Sequence, residues 1–311
     1  MAKMKLRDLV HRVRKRSSKS KDGEILEERL EEVLQQRFGI FVLNDAVTSN
    51  TNAVDFVAVH GLGGHPVRTW QHAETRASWL QDFIPRDIRN ARVMSYGYSS
   101  VVASSKSTAG VEEFAQDLLE RLKAVRLDST RPIIFICHSM GGLIVKKVKA
   151  HAGALIVAHE RAEIYGTIAH STVGIVFLAT PHRGSSFAAP AEFASMVLHA
   201  AQLGTGTNRK LVASLKKNAE LLWDISSQFV GRATGIHIKT FYETDSLPYM
   251  SSLVVDKNSA VLQLPNEIAG PMLNTNHRTI CRFSHPGCQN YALICAALRD
   301  IYSKATVNGS A

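Results

Sequence analysis

The hexapeptide Cys137-His138-Ser139-Met140-Gly141-Gly142 follows the apolar run Arg131-Pro132-Ile133-Ile134-Phe135-Ile136 and precedes the helix-patterned Leu143-Ile144-Val145-Lys146-Lys147-Val148. Strand, sharp turn and helix with a serine at the apex is the layout of a nucleophile elbow. Such a turn strains its serine, so the residues two before and two after must be small. Gly141 meets this downstream, and Cys137 stands where glycine is commoner upstream. The bland alternative makes Ser139 a helix N-cap and the glycines a tight strand-to-helix join, as in many α/β proteins.

Acyl transfer from a serine requires a base for the hydroxyl proton, an acid to orient that base, and N–H donors for the oxyanion. Val59-His60-Gly61-Leu62-Gly63-Gly64 closes an early apolar run and offers the Leu62 amide, beside the amide of Met140, as the oxyanion donors. The same loop could cradle phosphate, but it lacks both the GxGxxG spacing and a Walker lysine. With the order serine, acid, histidine, the base must come late in the chain. His277, in Asn274-Thr275-Asn276-His277-Arg278-Thr279, fits best. His285 is the rival, in Ser284-His285-Pro286-Gly287, where the Pro-Gly pair also reads as a plain turn. His60, His65 and His182 come too early, and His60 reads as a structural hydrogen-bonding residue. Three carboxylates compete for the acid. Glu243 ends the strand pattern Ile236-His237-Ile238-Lys239-Thr240-Phe241-Tyr242, Asp245 lies two residues on, and Asp256 follows Leu253-Val254-Val255.

The elements needed to position these groups are legible as an alternation. Strands are expected at Ile40–Leu43, Ala53–His60, Ala91–Gly97, Pro132–Cys137, Thr172–Ala179, Ile236–Glu243 and Ser252–Val255. Helices are expected at Arg76–Phe83, Val111–Val125, Gly141–Ala158 and Gln289–Lys304. Val- and Ile-rich strands joined by helix-length segments indicate an α/β fold with a mostly parallel sheet covered on both faces, its first strands free to pair antiparallel. Residues 182–235 break the alternation with helical patterns at Ala191–Leu203 and Lys210–Phe229, which read either as a lid or as an extension of the core.

The 311 residues suit one large α/β domain. Of the formal charge of +10, residues 1–21 carry nine Lys/Arg against Asp8, so the remaining chain holds only +2. A nearly neutral body excludes a nucleic-acid surface as the main partner. Leu6, Leu9, Val10 and Val13 fall at helical spacing among the basic residues. This amphipathic segment suits a mitochondrial presequence, an anionic membrane surface, a nuclear signal or a solvated tail. An acidic helix is expected over 22–37, which makes 1–38 an N-terminal extension, 39–304 the main domain and 305–311 a tail. Cys137, Cys281, Cys288 and Cys295 form no CxxC pair and no zinc spacing, which points to a reducing, intracellular location without a metal site. No apolar stretch has the length of a membrane span.

Taken together, these residues resemble the α/β-hydrolase fold. More narrowly, they are similar to the serine active site-containing protein family and the related lipase-like serine esterases common in fungi. The resemblance runs from about Gly39 to Lys304. It includes His60-Gly61-Leu62-Gly63-Gly64-His65-Pro66 with Thr69-Trp70, Trp79-Leu80, Ser95-Tyr96-Gly97-Tyr98 and the elbow. It continues through Ala179-Thr180-Pro181-His182-Arg183-Gly184-Ser185, Phe241-Tyr242-Glu243-Thr244, Val254-Val255, Ser259-Ala260 and His277. It implies a sheet with a helical insertion after strand 6, Ser139 as nucleophile, His277 as base and Glu243 as acid. Two departures stand out. Cys137 replaces a glycine, and Ser251-Ser252-Leu253 occupies the stretch where many related lipases carry an acidic Asp before the Val-Val pair.

The expectation is therefore a serine hydrolase or acyltransferase acting on an ester or thioester, lipid-type by resemblance, with no metal or organic cofactor. Residues 1–21 would suit an anionic membrane surface, at a mitochondrion or the endoplasmic reticulum, the cytoplasm being the alternative. The competing expectation is a non-catalytic hydrolase-like interaction module. That reading is weakened because no nucleotide-binding domain or repeat accompanies the fold in this chain.

Overall fold

The computed structural model describes residues 38–45, 53–98, 110–126, 128, 130–153, 166–182, 219–231, 233–248 and 250–307. The expectations for 1–37, for Ala191–Leu203 and for the end of the chain past 307 lie outside the described residues. Seven strands form one sheet: β1 (Gly39–Asn44), β2 (Val54–Val59), β3 (Ala91–Gly97), β4 (Ile133–His138), β5 (Thr172–Leu178), β6 (His237–Glu243) and β7 (Glu267–Met272). Their order is β1-β3-β2-β4-β5-β6-β7. β1 runs antiparallel to β3, and every other pairing is parallel. This is the α/β-hydrolase architecture.

Helices among the described residues include α1 (Trp79–Asp82), α2 (Ile84–Asp87), α3 (Val111–Val125), α4 (Met140–Gly153), α5 (Ala219–Val230), α6 (Lys257–Ala260) and α7 (Gln289–Val307). Strands β2 and β4 are buried at every position, as continuous apolar runs in a parallel sheet should be. Alternation along them divides the core in two. Phe56, Ala58, Ile134 and Ile136 face a cluster with Trp70, Trp79 and Leu298 of α7. Val57, Val59, Ile133, Phe135 and Cys137 face the other cluster, with Leu118 of α3, Ile144 of α4 and Phe229 of α5.

Three expectations change. Ser252–Val255 is not a strand, because the amides of Val254 and Val255 donate to the Glu243 side chain rather than to a ladder. The seventh strand is Glu267–Met272, whose Gly270 and Pro271 disguise it in the sequence; proline is tolerated there because β7 is an edge. The helical segment within 182–235 follows the fifth strand of this chain, not the sixth. Its described helix, α5, buries Ile225 and Phe229 in the core, and residues 183–218, on which the lid reading also rests, lie outside the described residues. In addition, α7 runs to Val307, three residues beyond the expected Lys304. The expected helix Arg76–Phe83 is shortened to α1, and the separate short α2 follows it.

Candidate active site

Ser139 follows the last residue of β4 and precedes the first residue of α4. Its φ of 52° is left-handed, a region that L-residues other than Asn and Asp enter at a cost. Close packing fixes this turn. A Cβ on Gly141 would lie 2.2 Å from the Val59 carbonyl oxygen, and one on Gly61 would lie 2.8 Å from Ser139 Cβ. The ends of β2 and β4 approach so closely that neither position admits a side chain.

The Ser139 hydroxyl is 2.9 Å from His277 Nε2, and His277 Nδ1 is 2.8 Å from Glu243 Oε2. A carboxylate can only accept, so Nδ1–H donates to Glu243 and Nε2 is left to accept from the serine. Glu243 Oε1 accepts from the amides of Val254 (2.7 Å) and Val255 (3.0 Å). Every oxygen of this carboxylate is thereby used, and the group is 1 % exposed. Three segments far apart in the chain, the β4–α4 turn, the end of β6 and the 273–288 loop, converge on one hydrogen-bonded line.

The other two carboxylates are engaged elsewhere. Asp256 caps α6, accepting from the Ser259 amide at 2.8 Å. Asp245 accepts from the Thr244 hydroxyl at 3.0 Å. His285 is exposed in its turn, where its carbonyl accepts from the Cys288 amide.

The loop that carries His277 is pinned from two sides. The amides of Thr244 and Asp245, just past β6, donate to the Thr275 carbonyl at 3.1 and 3.0 Å. The Trp79 indole donates to the Cys281 carbonyl at 2.9 Å, with Trp79 wholly buried. Glu243 and His277 therefore share one rigid support.

His60 is a structural residue of the glycine loop. It stacks on Tyr98 with ring centroids 4.5 Å apart, and its Nδ1 lies 2.9 Å from the Gly61 carbonyl. Burial pushes its pKa down to about 4, so it is neutral. Leu62 lines the cleft in front of Ser139, and Met140 opens α4, where a first-turn N–H has no partner in its own helix. These are positions from which both amides can serve an oxyanion.

One residue of the site carried no role in the sequence reading. His138 is 8 % exposed, and its Nε2 lies 2.7 Å from the His277 carbonyl, which fixes Nε2–H as the donor. Burial, followed by the electrostatic influence of His277, keeps it well below the ordinary histidine pKa, so it holds the His277 backbone as a neutral group. Its place beside Ser139 in the elbow was the available signal. Cys281 also borders the cleft, but burial raises its thiol to about 12, leaving it unreactive.

The cleft holds about 180 Å³ and is bordered by Leu62, Gly63, Gly64, Thr69, His138, Ser139, His277, Arg278, Cys281 and Arg282. No described helix is long and apolar enough to cross a membrane. The four cysteines are all free.

Known proteins can be set against this geometry. Protein SERAC1 of Bos taurus is 26% identical over 301 residues, covering 87% of this chain and 42% of its own length. The Homo sapiens Protein SERAC1 is 25% identical over 279 residues, covering 81% and 40%. The chain thus spans about two fifths of the length of these curated relatives. Among solved structures, Bacillus licheniformis lipase BlEst2 superposes with a TM-score of 0.54 at 14% identity, covering 85% of this chain and 97% of the lipase. That likeness establishes the shared fold. Residues 51–228, more than half of the chain, match the family described as "Putative serine esterase (DUF676)", and they hold both the glycine loop and the elbow; the chain belongs to this family.

Proposed function

We propose that the chain is a serine hydrolase that cleaves an acyl group from an ester or thioester through an acyl-serine intermediate. The observation that carries this reading is the line Glu243–His277–Ser139, with its spacings of 2.8 and 2.9 Å. His277 Nε2 takes the hydroxyl proton as Ser139 Oγ bonds to the acyl carbon. The Leu62 and Met140 amides receive the oxyanion. Collapse breaks the bond to the leaving oxygen or sulfur, which takes the proton from His277. Water, deprotonated by the same histidine, then releases the acid and frees the serine; a second alcohol in its place would make the enzyme an acyltransferase. Glu243 holds the imidazole in the reactive tautomer and balances its transient charge. Neither step calls for a metal or organic cofactor.

The reading extends to lipid-type substrates and to an intracellular membrane surface, mitochondrial or of the endoplasmic reticulum. What supports this is the similarity to serine esterases together with the basic amphipathic segment of residues 1–21. Deletion of residues 1–21 should abolish binding to anionic liposomes and leave ester hydrolysis intact.

The decisive experiment is labelling with a fluorophosphonate probe. The wild type should be labelled, and Ser139→Ala and His277→Ala should not. A folded wild type that resists the probe, with the cleft shown to admit it, would refute the enzyme and favour a binding module.

A further inference from the structure

Two neighbouring residues of the elbow hold the same histidine at two different points. Ser139 Oγ meets the His277 ring at Nε2, 2.9 Å away, and His138 Nε2–H donates to the His277 carbonyl at 2.7 Å. His138 is the last residue of β4, so the sheet fixes its place before the turn begins. Its ring lies close against the glycine loop: a Cβ on Gly61 would sit 3.1 Å from His138 Nδ1. That nitrogen is buried and has no hydrogen-bond partner among the described residues. Burial keeps the ring neutral, so it owns one N–H, and that N–H is spent on His277. The loop is also pinned at the carbonyls of Thr275 and Cys281, but the bond from His138 falls on His277 itself.

The two holds differ in when they exist. In the mechanism proposed above, Ser139 Oγ becomes an ester oxygen, which carries no proton and cannot donate to His277 Nε2. Until the serine is freed, the ring keeps its 2.8 Å bond from Nδ1 to Glu243, about which it can pivot. The bond from His138 to the His277 carbonyl survives acylation, because neither of its partners reacts. We infer that His138 is a positioning residue that keeps His277 in line with the acyl carbon once Ser139 is acylated, and so serves release of the acyl group more than its capture. This inference rests on Ser139 acting as the nucleophile. In the free enzyme Ser139 and His138 both place His277, so the first step tolerates the loss of one hold. In the acyl-enzyme a displaced His277 no longer meets the proton of the attacking water, and small misplacements of a reacting group cost rate steeply.

The test separates the two steps with 4-nitrophenyl butyrate. Release of 4-nitrophenol in the first turnover reads acylation, and decay of the butyryl-enzyme, followed by intact-protein mass spectrometry, reads deacylation. Wild type is compared with three variants. The amide of His138→Gln reaches the place of Nε2, that of His138→Asn stops at the place of Nδ1, and His138→Leu has no donor. His138→Asn and His138→Leu should slow deacylation about fivefold or more, the size of one lost hydrogen bond, and acylation less than about twofold. His138→Gln should deacylate close to the wild-type rate, a rescue that a space-filling role would not show. If His138→Leu does not fold, the asparagine and glutamine variants decide. The inference fails, and the proposed chemistry stands, if Ser139 is still labelled by the fluorophosphonate but acylation slows as much as deacylation, neither step changes, or His138→Gln behaves like His138→Asn. If wild-type Ser139 is not labelled at all, the chemistry fails and takes the inference with it.

Discussion

Replacing Glu243 by glutamine changes one atom's chemistry and almost no volume, and the surroundings dictate how the amide must lie. Oε1 accepts two backbone N–H bonds, from Val254 and Val255, and Oε2 accepts one from His277. If the amide oxygen keeps the two backbone donors, the NH2 faces His277 Nδ1, donor against donor. If the amide turns round, its NH2 faces two buried amides, stranding donors at about 1–3 kcal/mol each. The first arrangement is the cheaper. It forces His277 into the tautomer with its proton on Nε2, which can no longer accept from Ser139. The expected loss of kcat is roughly a thousand- to ten-thousandfold, as for other triads given the wrong tautomer. Thermal unfolding should shift little, because two of the three hydrogen bonds survive. The assay is kcat/KM on 4-nitrophenyl butyrate together with the rate of fluorophosphonate labelling. Asp245→Asn and Asp256→Asn serve as controls; the latter keeps its cap, since asparagine is an equally good N-cap. A Glu243→Gln enzyme within about tenfold of wild type, or an aspartate control that loses as much as Glu243→Gln does, would refute the reasoning.

Other consequences are independent of that carboxylate. Gly61→Ala would drive a methyl to 2.8 Å from Ser139 Cβ and 3.1 Å from His138 Nδ1, so labelling should slow by more than about tenfold, read by gel fluorescence of a folded variant. Lys146 is wholly buried, its ammonium donating to Ser226 Oγ at 2.6 Å, and burial lowers its pKa to about 7. Between pH 7 and the unfolded value of 10.5 the unfolded chain binds more protons, so this residue makes stability rise with pH. Lys146→Met should flatten urea-midpoint profiles in that window and raise stability at pH 7. At the end of β2 remote from Ser139, Asp55 is 1 % exposed and paired with Arg126 at 2.8 Å. Arg126→Ala should cost about 3–5 kcal/mol by leaving that carboxylate poorly compensated, with Ser139 labelling unchanged below the melting point.

Much of this molecule was written locally. The elbow is legible because strand, turn and helix are contiguous, and because a strained serine demands small neighbours within two residues. The α/β alternation is legible because buried parallel strands read as unbroken apolar runs. Chain order narrowed the base to His277 and His285, and the Pro-Gly pair after His285 weighed against the rival. Three carboxylates within fourteen residues could not be told apart in the same way, because their difference is not a property of their neighbours in sequence. Glu243 stands at a strand end that points to His277, and it is held by amides eleven and twelve residues away. Val254 and Val255 looked like a strand because branched side chains favour one, yet their N–H groups serve a carboxylate. The true seventh strand was hidden by a glycine and a proline that only an edge position tolerates. The same holds for His138. Chain sequence specifies which groups are available and what local geometry they prefer; which of them meet depends on contacts between segments from eleven to more than a hundred residues apart, and those exist only once the sheet has formed.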